Sequence, residues 1–335
     1  MKHWLARWFG GASKQVPSAP PAARAARPLP SAPAVPSTPA ADTPGDRAEV
    51  DAAFFHMLAG SAAADAPEAT ERLILDELAR LAVAPERAAA LVPRVPAVIP
   101  ALLRSLRDEG VSNADLSRVV AQDVVLVAEV VREANSPFYR PPSPVRNIEG
   151  ALMLLGQNGL RMLLARVAFR PVIGMQSGRF AKRVAPQVWA QSEKCALAAA
   201  TLAPHAGAQP FEAYLAGLVG NVGLVVAFRV VDQVYDEDLL PRSDAFRTAL
   251  FAHARRLAAG IAREWALPEA AAGAIADAGQ LDAGALAQVL DNADLLAKLR
   301  LLVDAGALAF DDPLVGRIVT PRLRPCFDLL LPQEA

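Results

Sequence analysis

From about residue 46 onward, apolar residues return at offsets of three and four in segment after segment. Ile99, Leu102, Leu103 and Leu106 form one set; Val127, Val130, Val131 and Ala134 a second; Leu160, Leu163, Leu164 and Val167 a third; Phe211, Tyr214, Leu215 and Leu218 a fourth. That period lines each set along one stripe of an α-helix. Start signals agree with it. Pro67 and Pro210 suit a first helical position, Ser112 with Asp115 resembles a capping box, and Asn147, Asn158 and Ser243 suit N-caps. Stops are expected at Gly110, Gly156 and Pro268. With no alternating strand and no internal repeat, the pattern predicts an all-α protein of packed short helices. One apolar stretch, "YLAGLVGNVGLVVAF" from Tyr214 to Phe228, carries Gly217, Gly220 and Gly223 at three-residue spacing around a lone Asn221. A glycine costs a helix interior about 1 kcal/mol relative to alanine, so something other than propensity placed them there.

The pattern fails before residue 46. Residues 17–45 hold nine prolines and nine alanines and no aromatic, a composition that cannot offset its ordering entropy, and they read as a semi-extended disordered tether. Ahead of it, Trp4, Leu5, Trp8 and Phe9 share one face of a short helix that also bears Lys2 and Arg7. Two readings stand: a membrane-surface or partner anchor, or a frayed terminus.

Composition narrows the chemistry. The 335 residues are 53% hydrophobic, enough for a substantial core. The net charge of -1 gives no global pull toward nucleic acid or anionic lipid. Cys195 and Cys326 lie far apart with no CxxC, which points away from a zinc framework and toward a reducing cytoplasm. No run approaches the roughly 20 apolar residues of a membrane span, and no GxSxG, Walker or GxGxxG pattern is present. Six basic residues, Arg161, Arg166, Arg170, Arg179, Lys182 and Arg183, occur with no acidic one among them. They read either as a solvated face or as a patch for an anion or acidic partner.

Two segments are more specific. The first begins "LVPRVPAVIPALL" at Leu91, continues through "DVVLVAEVVREANSPFY" and reaches "IEGALMLLGQNGL" at Ile148. The order and spacing of Pro93, Pro96, Asp123, Asn135, Ser136, Tyr139 and Gly156 resemble the HDOD domain, a bacterial signalling module related to the HD phosphohydrolases. Read physically, Asn135, Ser136 and Pro137 end a helix by offering local hydrogen bonds while forbidding its continuation, a structural corner before a ligand site.

The second is the glycine-rich stretch, which resembles the family's "AGLLHDIG" through Ala216, Gly217, Leu218 and Gly223. Gly220 and Asn221 stand where the resemblance requires the His-Asp pair. Gln191, beside Trp189 and Ser192, stands where another histidine is expected, whereas His253 and Asp294 match family positions. His253 shares a helical register with Phe246, Leu250, Leu257 and Ile261, which predicts a core histidine hydrogen-bonded to a neighbour. In the HD enzymes such residues bind a metal that activates water; glycine offers no ligand atom and an amide replaces a carboxylate poorly on a hard cation. The resemblance therefore implies no metal, no cofactor and no catalysis.

The expected architecture is an HD-like multi-helix domain preceded by a helical subdomain. Its divisions are an N-terminal segment over 1–45, flanking helices over 46–90, the HDOD domain over 91–285 and a C-terminal helical extension over 286–335. The leading functional expectation is a non-catalytic signal-transduction protein that acts on regulatory partner proteins in the cytoplasm, membrane contact through its N-terminus being one of the two readings of that segment. The alternative is a pseudo-enzyme sensor binding a small ligand or nucleotide around Gln191, Gly220, Asn221, His253 and Asp294. A residual phosphohydrolase comes third.

Overall fold

A computed structural model describes residues 44–60, 67–92, 120–121, 124–136, 139, 141–174, 178–235 and 240–331. Among them every regular element is a helix. Thirteen α-helices follow in order: α1 Pro44–Ala59, α2 Glu68–Ala82, α3 Pro85–Ala90, α4 Val124–Ala134, α5 Ile148–Gly174, α6 Phe180–Leu202, α7 Pro210–Val219, α8 Val222–Val234, α9 Asp244–Glu264, α10 Glu269–Asp277, α11 Ala285–Asp304, α12 Pro313–Ile318 and α13 Arg324–Leu329.

Local signals set several boundaries. Pro210 opens α7 at its first position, and the Ser243 hydroxyl caps α9 by accepting from the Phe246 amide at 3.0 Å. Asn147 accepts from the Gly150 amide at 2.8 Å at the start of α5. That helix breaks at Gly156, whose φ of 69° is a left-handed conformation that glycine adopts at no steric cost. Signals at Gly110, Ser112 and Asp115 lie outside the described residues.

α6 is the central rod. Its buried face carries Cys195, Ala196, Ala198, Ala199 and Ala200, side chains small enough for α7 and α11 to lie close along it. Its start is fixed from a distance: Asp232 on α8 accepts from the Phe180 and Ala181 amides at 2.8 and 3.0 Å. This carboxylate cap also explains Gly178, where φ is +109° and a Cβ would lie 2.2 Å from Asp232 Oδ2. α8 packs on α9, α10 joins α9 to α11, and α1 rests on α11 and α9. Rings seal the last contact, with Phe55 edge-on to Phe246 at 6.4 Å and to Phe251 at 6.0 Å.

The glycine-rich stretch lies at the centre. Residues 210–234 are long and apolar enough to pass for a membrane span by composition, but 89% of that window is buried inside the fold. A Cβ at Gly217 would come within 2.7 Å of the Ala196 backbone on α6. At Gly223 it would meet the Ala254 carbonyl oxygen on α9 at 1.8 Å. Both glycines are backbone-contact positions that no side chain can share.

Candidate functional site

Between α7 and α8 the chain turns at Gly220 and Asn221, and beside that turn lies a cavity of about 50 Å³. α6 contributes Gln191 and Cys195 to its wall, the turn both of its residues, α9 Arg255, and α11 Asp291, Asp294 and Lys298. The fold therefore gathers Gln191, Gly220, Asn221 and Asp294 at one place. A Cβ on Gly220 would meet backbone of α7 just before it, the Ala216 carbonyl oxygen at 2.9 Å and that of Gly217 at 3.9 Å, and no neighbouring helix.

His253 is placed elsewhere, contrary to its expected core position. The buried line of α9 runs through Phe246, Leu250, Ala254, Leu257, Ala258 and Ile261, because Ala254 is the residue pressed against Gly223. His253 sits beside that line, half-buried and away from the cavity lining. Its Nδ1 is buried with no hydrogen-bond partner, and burial together with the nearby Arg256 lowers its pKa.

The cavity's electrostatics centre on a lysine. Lys298, 5% exposed, places its ammonium 2.7 Å from Asp294 Oδ2 and 2.7 Å from Asp51 Oδ1 on α1. Gln191 Nε2 donates to the other Asp294 oxygen at 2.7 Å, while Gln191 Oε1 is buried without a partner. Burial acts to raise the Asp294 carboxyl, but Lys298 and the Gln191 amide outweigh it and hold that group below the usual carboxylate range. Burial likewise acts to lower Lys298, and Asp294 with Asp51 raises it instead. Both groups are charged at neutral pH. Asp291 differs: desolvation lifts its pKa against the pull of Arg47, which pairs with it at 2.7 Å.

This donor set does not fit a divalent metal. A metal on Asp294 would sit against a like-charged ammonium, Gly220 supplies no ligand atom, and Asn221 and Gln191 supply neutral amides. Lys298, Asp51, Asp291 and Arg255 were not singled out by sequence reasoning. The four-residue spacing from Asp294 to Lys298 was a usable signal on a helix; Asp51, 247 residues from its partner, gave none.

The "ANS" corner is built from hydrogen bonds. Asn135 Nδ2 donates to the Val131 and Val145 carbonyls at 2.8 and 2.7 Å, and Asn135 Oδ1 accepts from the Val145 amide at 2.8 Å. Ser136 Oγ is buried without a partner. Nearby Tyr139 has its phenol pushed up to about 12, by burial first, with Arg166 acting against it. Among the six basic residues, Arg166 bridges Glu133 and Glu193, and Arg183 donates to the Ala59 carbonyl at 3.3 Å with its guanidinium 4.7 Å from the Phe180 ring centre. Arg161 is half-buried, and burial lowers its pKa; Arg170, Arg179 and Lys182 are exposed. The run is therefore not six spare charges. Pro93, Pro96 and Asp123, with Trp4, Leu5, Trp8 and Phe9, lie outside the described residues.

Comparison with known proteins places this geometry in context. Residues 92–281 match the HDOD domain. An uncharacterized protein of Treponema pallidum is 25% identical over 188 residues, which are 53% of this chain and 36% of the relative, so the chain spans about a third of the curated relative it matches. Among solved structures, a candidate phosphohydrolase of Shewanella amazonensis shares 20% identity with a TM-score of 0.53, covering 74% of this chain and 93% of that one. A candidate signal transduction protein of Marinobacter aquaeolei shares 19% identity with a TM-score of 0.51, covering 85% of this chain and 62% of that one. These two likenesses show the fold. The family match covers more than half of the sequence, and the chain belongs to the HDOD domain family.

Proposed function

We propose that this protein is a non-catalytic signalling module that acts by binding regulatory partner proteins. One observation carries the reading: the cavity that groups Gln191, Gly220, Asn221 and Asp294 holds a lysine ammonium against its one matching carboxylate, in place of a metal-binding donor set. Water activation by a metal needs charged or imidazole donors that stay open to the ion, and this cavity offers amides, a bare glycine and two carboxylates already paired, Asp294 with Lys298 and Asp291 with Arg47. Membership of the HDOD domain family and the likeness to a protein named for signal transduction support the signalling role. A nucleotide sensor is less well supported, because about 50 Å³ is far below the roughly 300–1,000 Å³ of pockets that enclose such ligands.

The test has two parts. Purified full chain, supplied with Mn²⁺, Mg²⁺ or Fe²⁺, is expected to hydrolyse phosphomonoesters, phosphodiesters and nucleotides no faster than a blank. Cross-linking in the native organism is expected to join the helical domain to a small, reproducible set of proteins. Turnover that disappears in Asp294→Ala would sink the non-catalytic reading, and cross-links no richer than those of an unrelated helical protein would sink the partner-binding one.

A further inference from the structure

Helix α1 lies outside residues 92–281, yet its polar face is bonded to the cavity wall. Arg47 Nη2 donates to Asn292 Oδ1 at 2.7 Å and Nη1 pairs with Asp291 at 2.7 Å; one turn later Asp51 receives Lys298. Asp51 on α1 and Asp294 on α11 thus meet through a single ammonium. With side chains 36% and 23% exposed, these two carboxylates repel each other unless a cation sits between them. Here the cation is covalently supplied, and the Phe251 and Phe54 ring centres lie 4.9 and 5.9 Å from it. The cavity that Asp294 and Lys298 line also holds Gln191 Oε1, from a side chain 0% exposed and without a partner for that atom.

We infer that Lys298 is a built-in cation that does the electrostatic work of a bound metal, fastening α1 to the cavity, and that its removal uncovers a hard-cation site made of Asp51, Asp294 and Gln191 oxygens. The inference rests on the reading that no metal shares the cavity with Lys298. Oxygen donors alone select Mg²⁺ or Mn²⁺ over soft ions, and loss of the lysine side chain adds its own volume to the cavity for the ion and its waters. The chemistry of the site has been exchanged, in this view, for a structural latch on the helix that follows the N-terminal segment.

The experiment compares full-length wild type, Lys298→Ala, Lys298→Met and Asp51→Asn by thermal unfolding and by hydrogen exchange of residues 44–59, in EDTA and in millimolar Mn²⁺. In EDTA, Lys298→Ala is expected to lose roughly 5–10 °C in Tm and to exchange faster in α1. Mn²⁺ is expected to restore about half or more of both losses in that variant and to leave wild type unchanged. Lys298→Met keeps the bulk without the charge, so α1 should loosen with little response to Mn²⁺. Asp51→Asn should loosen α1 without Mn²⁺ rescue. Wild-type protection of α1 in Lys298→Met or in Asp51→Asn would overturn the latch, as would a Lys298→Ala protein that Mn²⁺ leaves unimproved. If Lys298→Ala does not fold in EDTA, recovery of folded protein on adding Mn²⁺ is the expected result and its absence the contrary one. Stabilisation of wild type by Mn²⁺ would instead strike the reading that the cavity excludes metal.

Discussion

Gly223→Ala adds one methyl group where, of the described glycines, a Cβ would lie nearest to another helix's backbone. The new Cβ would lie 1.8 Å from the Ala254 carbonyl oxygen, 2.6 Å from its carbonyl carbon and 2.9 Å from the Ala258 nitrogen. Ordinary contact begins near 3.4 Å, so α8 and α9 would have to part by about 1.6 Å. The obstacle is backbone, which cannot rotate away as a side chain can. Overpacking of this kind costs roughly 1–3 kcal/mol or more, and the helix-propensity gain of alanine over glycine returns only about 1 kcal/mol. With the clash this deep, we expect a net loss of about 2 kcal/mol or more. Gly273→Ala is the matched control: Gly273 lies inside α10 with nothing within 4 Å of its would-be Cβ, so propensity acts alone and the variant should gain about 0.5–1 kcal/mol. Urea unfolding followed by far-ultraviolet circular dichroism reads both. If Gly223→Ala unfolds at or above the wild-type midpoint, or if the two variants shift in the same direction, the close-contact account is wrong.

Two further outcomes are expected. Asn135→Ala removes three hydrogen bonds at the corner after α4 and should cost about 1–2 kcal/mol, with faster exchange of the Val145 amide; an unchanged Val145 amide would contradict the clamp. In alkali, Tyr139, pushed up to about 12 by burial, and Tyr214, raised further by the same cause, should keep their protons past pH 10. A raised folded pKa contributes stability that is whole below the unfolded value of 10 and is lost as pH rises through the folded value, so unfolding should set in above about pH 10. Phenolate absorbance of Tyr139→Phe and Tyr214→Phe assigns the transitions, and titration of either tyrosine near pH 10 with the fold intact would contradict the burial.

Much of the architecture was legible because its information is local. Ser243 and Asn147 accept from amides three residues on, and Pro210 and Gly156 act through their own φ, so each can be read from a few letters. Gln191, Gly220, Asn221 and Asp294 were brought forward by resemblance, and the fold does bring them to one cavity. What escaped depends on pairing across the chain. Asp232 caps a helix that begins 52 residues earlier, and Lys298 receives its second carboxylate from a helix 247 residues away. His253 was misplaced for a related reason: a period of three to four gives a face, not which of two adjacent residues on it meets a neighbouring helix, and Gly223 selects Ala254.

The three glycines spaced by three are under different physical demands. Gly217 faces the α6 backbone and Gly223 the α9 backbone, each too close for any side chain, so these two contacts fix where the turn between α7 and α8 must lie. Gly220, between them, borders a cavity, and a Cβ there would meet the Ala216 carbonyl oxygen of α7 at 2.9 Å but no neighbouring helix. Packing at Gly217 and Gly223 therefore holds the turn in place, and a side chain at position 220 would ask for an adjustment only at the end of α7. Position 220 bears no ligand atom and position 221 a neutral amide, and the carboxylate of Asp294 is balanced by a positive charge. A lysine one turn along α11 supplies that charge from within the chain and reaches Asp51 as well, which joins the cavity wall to the first of the described helices.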